Sequence, residues 1–147
     1  MAAPGKRVDP YGNFNFLVEI DGIVRAAFHE VSGLDSTIDV IEHREGNDPV
    51  MRKYPAQVKY SNLTLKWGIA SDTDLYNWHR QWVIGDPAAK RLTGSVVLYD
   101  RQGKTELARW NFVNAWPAKW TGPTFNAESN DIAIETLELA HEGVARA

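Results

Sequence analysis

The chain has 147 residues, a formal net charge of −3 and no cysteine. That length fits one domain with a core large enough to need no staples. Without cysteine there are no disulfides, thiolate metal sites or thiol nucleophiles, and a net negative charge argues against general nucleic-acid affinity. Six Trp, five Tyr and five Phe are many for this length, and such rings supply large apolar area to cores and interfaces.

In chain order, residues 1–10 (MAAPGKRVDP) form an expected flexible arm that lacks the apolar core of a signal peptide. No apolar run reaches the length of about 18 residues that a membrane helix needs, so stable membrane insertion of the monomer is not expected. The expectation is synthesis in the cytoplasm, with any export by another route. Phe14, Phe16, Val18 and Ile20 alternate with Asn13, Asn15, Leu17 and Glu19, which predicts a half-buried strand. Asp21-Gly22 supplies a hairpin turn. Val24 to Val31 reads as the return strand, ended by Ser32-Gly33, and Thr37 to Glu42 as a third strand.

Residues 44–56 (REGNDPVMRKYPA) interrupt the pattern with Gly46, Pro49 and Pro55. About a dozen residues is long for an unstructured loop within a compact domain. It reads either as a solvated excursion or as an arm that touches another subunit. The candidate contact residues are Arg44, Glu45, Asn47, Asp48, Met51, Arg52, Lys53 and Tyr54.

In QVKYSNLTLKWGIA the apolar positions pass from Val58 and Tyr60 to Leu63, Leu65, Trp67 and Ile69. The switch at Ser61-Asn62 predicts a bulge or bend that lets one strand serve two sheets. Ile132 and Ile134, followed by Leu137 and Leu139, predict a similar switch at Glu135-Thr136. Between them lies one predicted helix, residues 72–84, capped by Ser71 or Asp72 with Asp74 in its first turn. Leu75, Trp78, His79, Trp82 and Val83 form its apolar stripe, and Gly85 and Pro87 stop it. Leu75, Trp78, Trp82 and Val83 are expected to pack on the sheet.

A second hairpin runs from Ser95 to Tyr99 and from Thr105 to Trp116 around Gly103. Its longer strand places Ala108, Trp110, Phe112, Asn114 and Trp116 on one face. Residues 117–130 read as a loop. The total is about seven strands and one flanking helix, a mainly-β barrel or curved sandwich. One domain is expected over 11–143, with a short tail at 144–147.

The search for chemistry finds no catalytic constellation. His29, His43, His79 and His141 have no short metal-ligand spacing; His79 reads as a packed histidine, and a site joining His29 to His43 is the weaker reading. Asp72 and Asp74 suit a helix start, and Glu135 and Glu138 lack a supporting feature. There is neither a phosphate loop nor a nucleophile elbow. Neither cofactor nor metal is expected. Three classes stay open on the residues alone: a self-assembling structural protein, a monomeric β-sandwich binding module and an enzyme with an unrecognised site.

The segments DPYGNFNFLVEIDG and AAFHEVSGLDS resemble the start of the tail-tube proteins of contractile phage-like machines. Further matches follow in order: IEHREGNDP, RKYPAQVKYSNLTLKWGI, LYNWHRQW and WNFVNAWPAKWTGPTFNAESNDIAIETLELAHEG. The resemblance spans Asp9 to Gly143. It is nearest to the inner-tube proteins of extracellular contractile injection systems and more remote from the haemolysin-coregulated tube protein of type VI secretion. Gly12 and Asn15 stand where the family pattern has longer, often basic residues.

The resemblance implies a β-barrel-like subunit that forms hexameric rings, stacked into a hollow tube. A surrounding sheath, a baseplate hub or spike, a tube terminator and protein cargo in the lumen are the implied partners. It also implies that residues 44–56 are an extended loop packing on adjacent subunits. A phage-tail-like particle, as a virion tail or a released injection particle, is the implied destination.

Overall fold

The computed structural model describes residues 15–21, 23–26, 28–69, 73–128 and 130–147. The expected arm at 1–10, Asn13 and Phe14 of the first strand, Gly22 of its turn, and the capping candidates Ser71 and Asp72 lie outside the described residues. The described elements are β1 (Asn15–Ile20), β2 (Ile23–Ala26), β3 (Glu30–Ser32), β4 (Thr37–His43), β5 (Arg52–Lys59), β6 (Leu63–Gly68), α1 (Asp74–Val83), β7 (Leu92–Tyr99), β8 (Glu106–Thr121), β9 (Ile134–Ala140) and β10 (Gly143–Arg146). Eight strands form one sheet in the order β2-β1-β7-β8-β9-β6-β3, with β10 also on β8; β4 and β5 pair separately. All pairs are antiparallel.

The class is the expected one, mainly β with a single helix among the described residues, but ten strands replace about seven. The return strand read over Val24 to Val31 divides in two. Its first part, β2, pairs with β1, whereas β3 pairs with β6 at the other end of the sheet. Of the residues read as a tail, Val144 to Arg146 belong to β10, in register with β8 from Gly143↔Val113 to Arg146↔Trp110.

The sheet turns about β8, which is 16 residues long. Its first part pairs with β7 and β10 and its last part with β9. Strict alternation along β8 fails at Asn114, whose φ is +52°. Phe112 lies opposite Gly94 and Ala115 opposite Leu92, so β8 holds one extra residue there. A bulge of this kind bends the strand and shifts the buried face. The buried positions accordingly pass from Ala108 and Phe112 to Ala115 and Pro117, and Asn114 is exposed. A second irregularity separates Pro117 from Lys119, the setting in which a strand tolerates proline's missing N–H. Residues 117–121, read as loop, therefore belong to β8.

The expected break at Ser61-Asn62 separates β5 from β6, and the two strands lie in different sheets. No such switch marks Glu135-Thr136. There β9 pairs with β6 in continuous register, and Ile132 is an exposed residue before the strand.

Val18 and Ile20 of β1, Val96 of β7, Leu63, Leu65 and Trp67 of β6, and Leu137 and Leu139 of β9 share one core with Phe112 and Ala115. The two halves of the sheet thus face each other. Among the described residues no ladder joins β2 to β3, so the sheet is curled but open. Gly94 shows how close its packing is: a Cβ there would lie 2.4 Å from Glu19 O and 2.6 Å from Phe112 Cζ. Gly94→Ala is expected to cost about 3 kcal/mol, at the upper end for overpacking of a core. A urea midpoint equal to wild type would show that Phe112 gives way freely.

Leu75 and Trp78 of α1 are buried in this core. The Trp78 indole N–H donates to the Lys90 carbonyl at 3.0 Å. Trp82 is partly buried, its ring 5.6 Å from that of Trp116. Val83, expected on the packed stripe, is 57% exposed. It lies at the edge of the stripe in the final turn, next to exposed Ile84 and to Gly85 with φ +71°. His79 sits on the same packed side, where its Nδ1–H donates to the Pro117 carbonyl at 3.0 Å.

Candidate functional site: a hairpin arm with an exposed apolar face

The segment read as a loop over residues 44–56 is the end of a β-hairpin. Residues 44–51 make the turn, whereas residues 52–56 belong to β5, paired as His43↔Arg52, Glu42↔Lys53, Ile41↔Tyr54 and Val40↔Pro55. The proline and the charges that obscured the strand in the sequence sit on a two-stranded ribbon, where one side of every strand needs no ladder partner.

Asp48 organises the turn. Its Oδ1 accepts the Val50 N–H at 3.0 Å and its Oδ2 accepts Arg52 Nε–H at 3.0 Å. The Asp48 carbonyl accepts Arg44 Nε–H at 2.8 Å, and Gly46 supplies the positive φ of +45°. Arg44, Asp48 and Arg52, candidates for charge contacts with a neighbour, thus also hold the arm's own tip. Glu45 lies 3.6 Å from His43 Nε2. Asn47, Met51, Lys53 and Tyr54 are exposed.

The sequence reading missed the arm's apolar face. A register shift between Ile38 and Val40 places an extra residue in β5, where Ala56 and Gln57 stand against Asp39. Directly opposed residues share a face, so Ile38 and Val40 with Val58 and Pro55 form one apolar face, while Ile41 with Tyr54 forms a smaller apolar spot on the other. Ile38 and Ile41 are each 54% exposed, Val58 53% and Tyr54 49%. Val50 and Met51 extend the apolar surface at the turn. Pairing Thr37–His43 with Arg52–Lys59 across the interruption was the available signal. Glu42 and Lys53 continue the first face toward the turn, and the second carries Thr37, Asp39 and Lys59, with Lys59 Nζ 2.9 Å from Asp39.

A two-stranded hairpin alone in water is marginal, and a contiguous exposed apolar surface marks an interaction site. Among the described residues the arm's strands are paired only with each other, and none of the buried core residues comes from them. This arrangement suits docking to another surface.

Among the described residues, no three His, Cys, Asp or Glu side chains gather as a metal site. His141 Nε2–H donates to the Ser61 carbonyl at 2.9 Å, and its Nδ1 accepts the Gly143 N–H at 3.2 Å. An apolar cleft of about 250 Å³ lies among Phe16, Val31, Leu34, Leu98 and Trp110, with His29 and Glu30 at its polar side. It is smaller than the roughly 300–1,000 Å³ usual for small-molecule sites. Among the described residues, two displaced ionisations have structural causes. The Lys104 N–H bond to Asp100 holds that carboxyl below its usual range within the β7–β8 turn. The Glu106 hydrogen bond raises the Arg109 guanidinium above its usual value.

Residues 12–145 match the family model described as T4-like virus tail tube protein gp19. The chain belongs to that tail tube family. It is 32% identical to a chain of the PVC sheath-tube complex, an extracellular contractile injection system in its extended state, with a TM-score of 0.82 over 94% of this chain and 91% of that one. A chain in the structure of the anti-feeding prophage cap, its tube terminating cap, is 28% identical, with a TM-score of 0.83 over 100% and 99% of the two chains. Hcp1 from Flavobacterium johnsoniae is 16% identical and shares the fold, with a TM-score of 0.59 over 89% and 93%. No curated protein sequence matches the chain. It is a tail tube protein of the kind found in contractile injection systems and phage-tail-like particles.

Proposed function

We propose that the chain forms hexameric rings that stack into a hollow tube, in which the β4–β5 arm of each subunit docks on its neighbours. The observation that carries this reading is the exposed apolar side chains of Ile38, Val40 and Val58 on one face, and of Ile41 and Tyr54 on the other, of a hairpin whose strands pair, among the described residues, only with each other. A cyclic assembly gives such an arm a receptor on every adjacent copy. Asn47, Met51, Lys53 and Tyr54 are the proposed contacts at and near the tip. Glu45, Arg44 and Arg52 add charge that sets register between subunits.

The open sheet supports the same reading. Its terminal strands β2 and β3 present edges that a neighbouring copy can extend. In this proposal the tube does no covalent chemistry. A sheath surrounds it, a baseplate hub and a terminator close its ends, and contraction of the sheath drives it as a rigid body through a target envelope. The lumen provides the route for protein cargo. The subunits are made in the cytoplasm and incorporated into a phage-tail-like particle.

Native mass spectrometry across a concentration series tests the assembly step. Hexamers and multiples of six are expected to replace the monomer as concentration rises. A strict monomer at the highest concentration would favour the single-chain binding module.

A further inference from the structure

The arm meets the body at two short segments, residues 33–36 leading into β4 and residues 60–62 leading out of β5. They pass in backbone contact. Gly33 has φ +95°, and a Cβ at this position would lie 2.1 Å from the Asn62 carbonyl oxygen. Only glycine permits both that conformation and that approach.

Ser61 is then held from two sides. Its N–H donates to Asp35 Oδ1 at 3.4 Å, which ties the outgoing segment to the incoming one. Its carbonyl accepts His141 Nε2–H at 2.9 Å, which ties it to the body. His141 lies between β9 and β10 and is steadied by the Gly143 N–H at its Nδ1. Its ring is 5.7 Å from that of Tyr60 and 6.5 Å from that of Phe112, which is fully buried. A chain of contacts therefore runs from the core, through His141, to the root of the arm.

We propose that Gly33, Asp35 and His141 are positioning residues that fix the angle of the arm to the body before a neighbouring subunit is met. The inference rests on the docking role proposed for the arm. A restrained root reduces the conformational freedom lost on docking, so it promotes association without adding a contact to the interface.

The absence of cysteine permits a direct test. Spin labels on the paired variants Asn47→Cys and Gln102→Cys report the distance from the arm's tip to the β7–β8 turn in the monomer. Assembly is measured separately, on unlabelled protein. A narrow distance distribution is expected in the parent. His141→Ala and Asp35→Ala should each broaden it while leaving the urea midpoint close to the parent's. Loss of one such hydrogen bond should raise the concentration for half-assembly about five- to tenfold. His141→Gln, whose amide N–H2 keeps a donor for Ser61, should restore both readouts in part, which a merely space-filling role would not require.

Unchanged distributions in both alanine variants would overturn the hinge. Broadened distributions with unchanged assembly would instead overturn the docking role of the arm on which the proposal depends.

Discussion

Replacing residues 46–53 with a short Gly-Ser linker is expected to abolish rings and tubes while leaving the melting temperature of the subunit near that of the parent. The replaced residues comprise most of the turn and the first two residues of β5. They hold Asp48, which organises the tip, together with the exposed Val50 and Met51. None of them belongs to the buried core. Stability should therefore change by no more than about 0.5 kcal/mol, the usual range for surface changes. Assembly should fail because the apolar end of the arm is gone and the remaining ribbon has lost its ordered turn. A narrower variant separates shape from chemistry. Ile41→Asp keeps the hairpin length but puts a charge beside exposed Tyr54, where docking would desolvate it. It too should block rings. Tubes of normal yield and length from the linker variant would show that the arm is not an assembly element.

Trp78→Ala is expected to be the most damaging single change on the helix, at roughly 3–5 kcal/mol for a large aromatic in a core. Trp78 is 5% exposed, and its removal would also leave the Lys90 carbonyl without its indole donor. Trp82→Ala should cost less, because Trp82 is only partly buried against Trp116. Val83→Ala should stay within about 0.5 kcal/mol, since Val83 is an exposed residue of the last turn. Denaturant unfolding of the three variants gives the order directly. A Trp78→Ala protein with a parent-like midpoint would mean that the helix contributes little to its own subunit.

The residues that carried most of the fold in the sequence were those with an uninterrupted period. Val18 and Ile20, then Leu63, Leu65 and Trp67, and Leu75 with Trp78 show their alternation or helical spacing plainly, and all are buried. Where the backbone departs from a regular period, the sequence misled. Asn114 adds a residue to β8 and moves the buried face from Phe112 to Ala115. Pro117 looked like the start of a loop but lies in β8 beside a bulge. The short β3 was fused with β2 because no composition change separates them, although they pair at opposite ends of the sheet.

The candidate site was half legible. Gly46, Pro49 and the mixed charges marked residues 44–56 as exceptional, and Met51 and Tyr54 were visible as apolar contacts. Ile38 and Val40 were not, because the pairing that sets them beside Val58 and Pro55 depends on the extra residue in β5 opposite Asp39. The restraint at Ser61 was equally hidden. It joins Asp35, Ser61 and His141, which are far apart along the chain.

In the proposed assembly this chain builds a tube by docking its arm on neighbouring copies. Negative-stain electron microscopy of the concentrated, purified chain tests this, with the Ile41→Asp protein imaged beside it. Hollow six-fold rings, alone or stacked into tubes, are expected from the parent, and dispersed subunits from the variant. Dispersed monomer-sized particles from the parent at every concentration, or the same rings from both proteins, would contradict it.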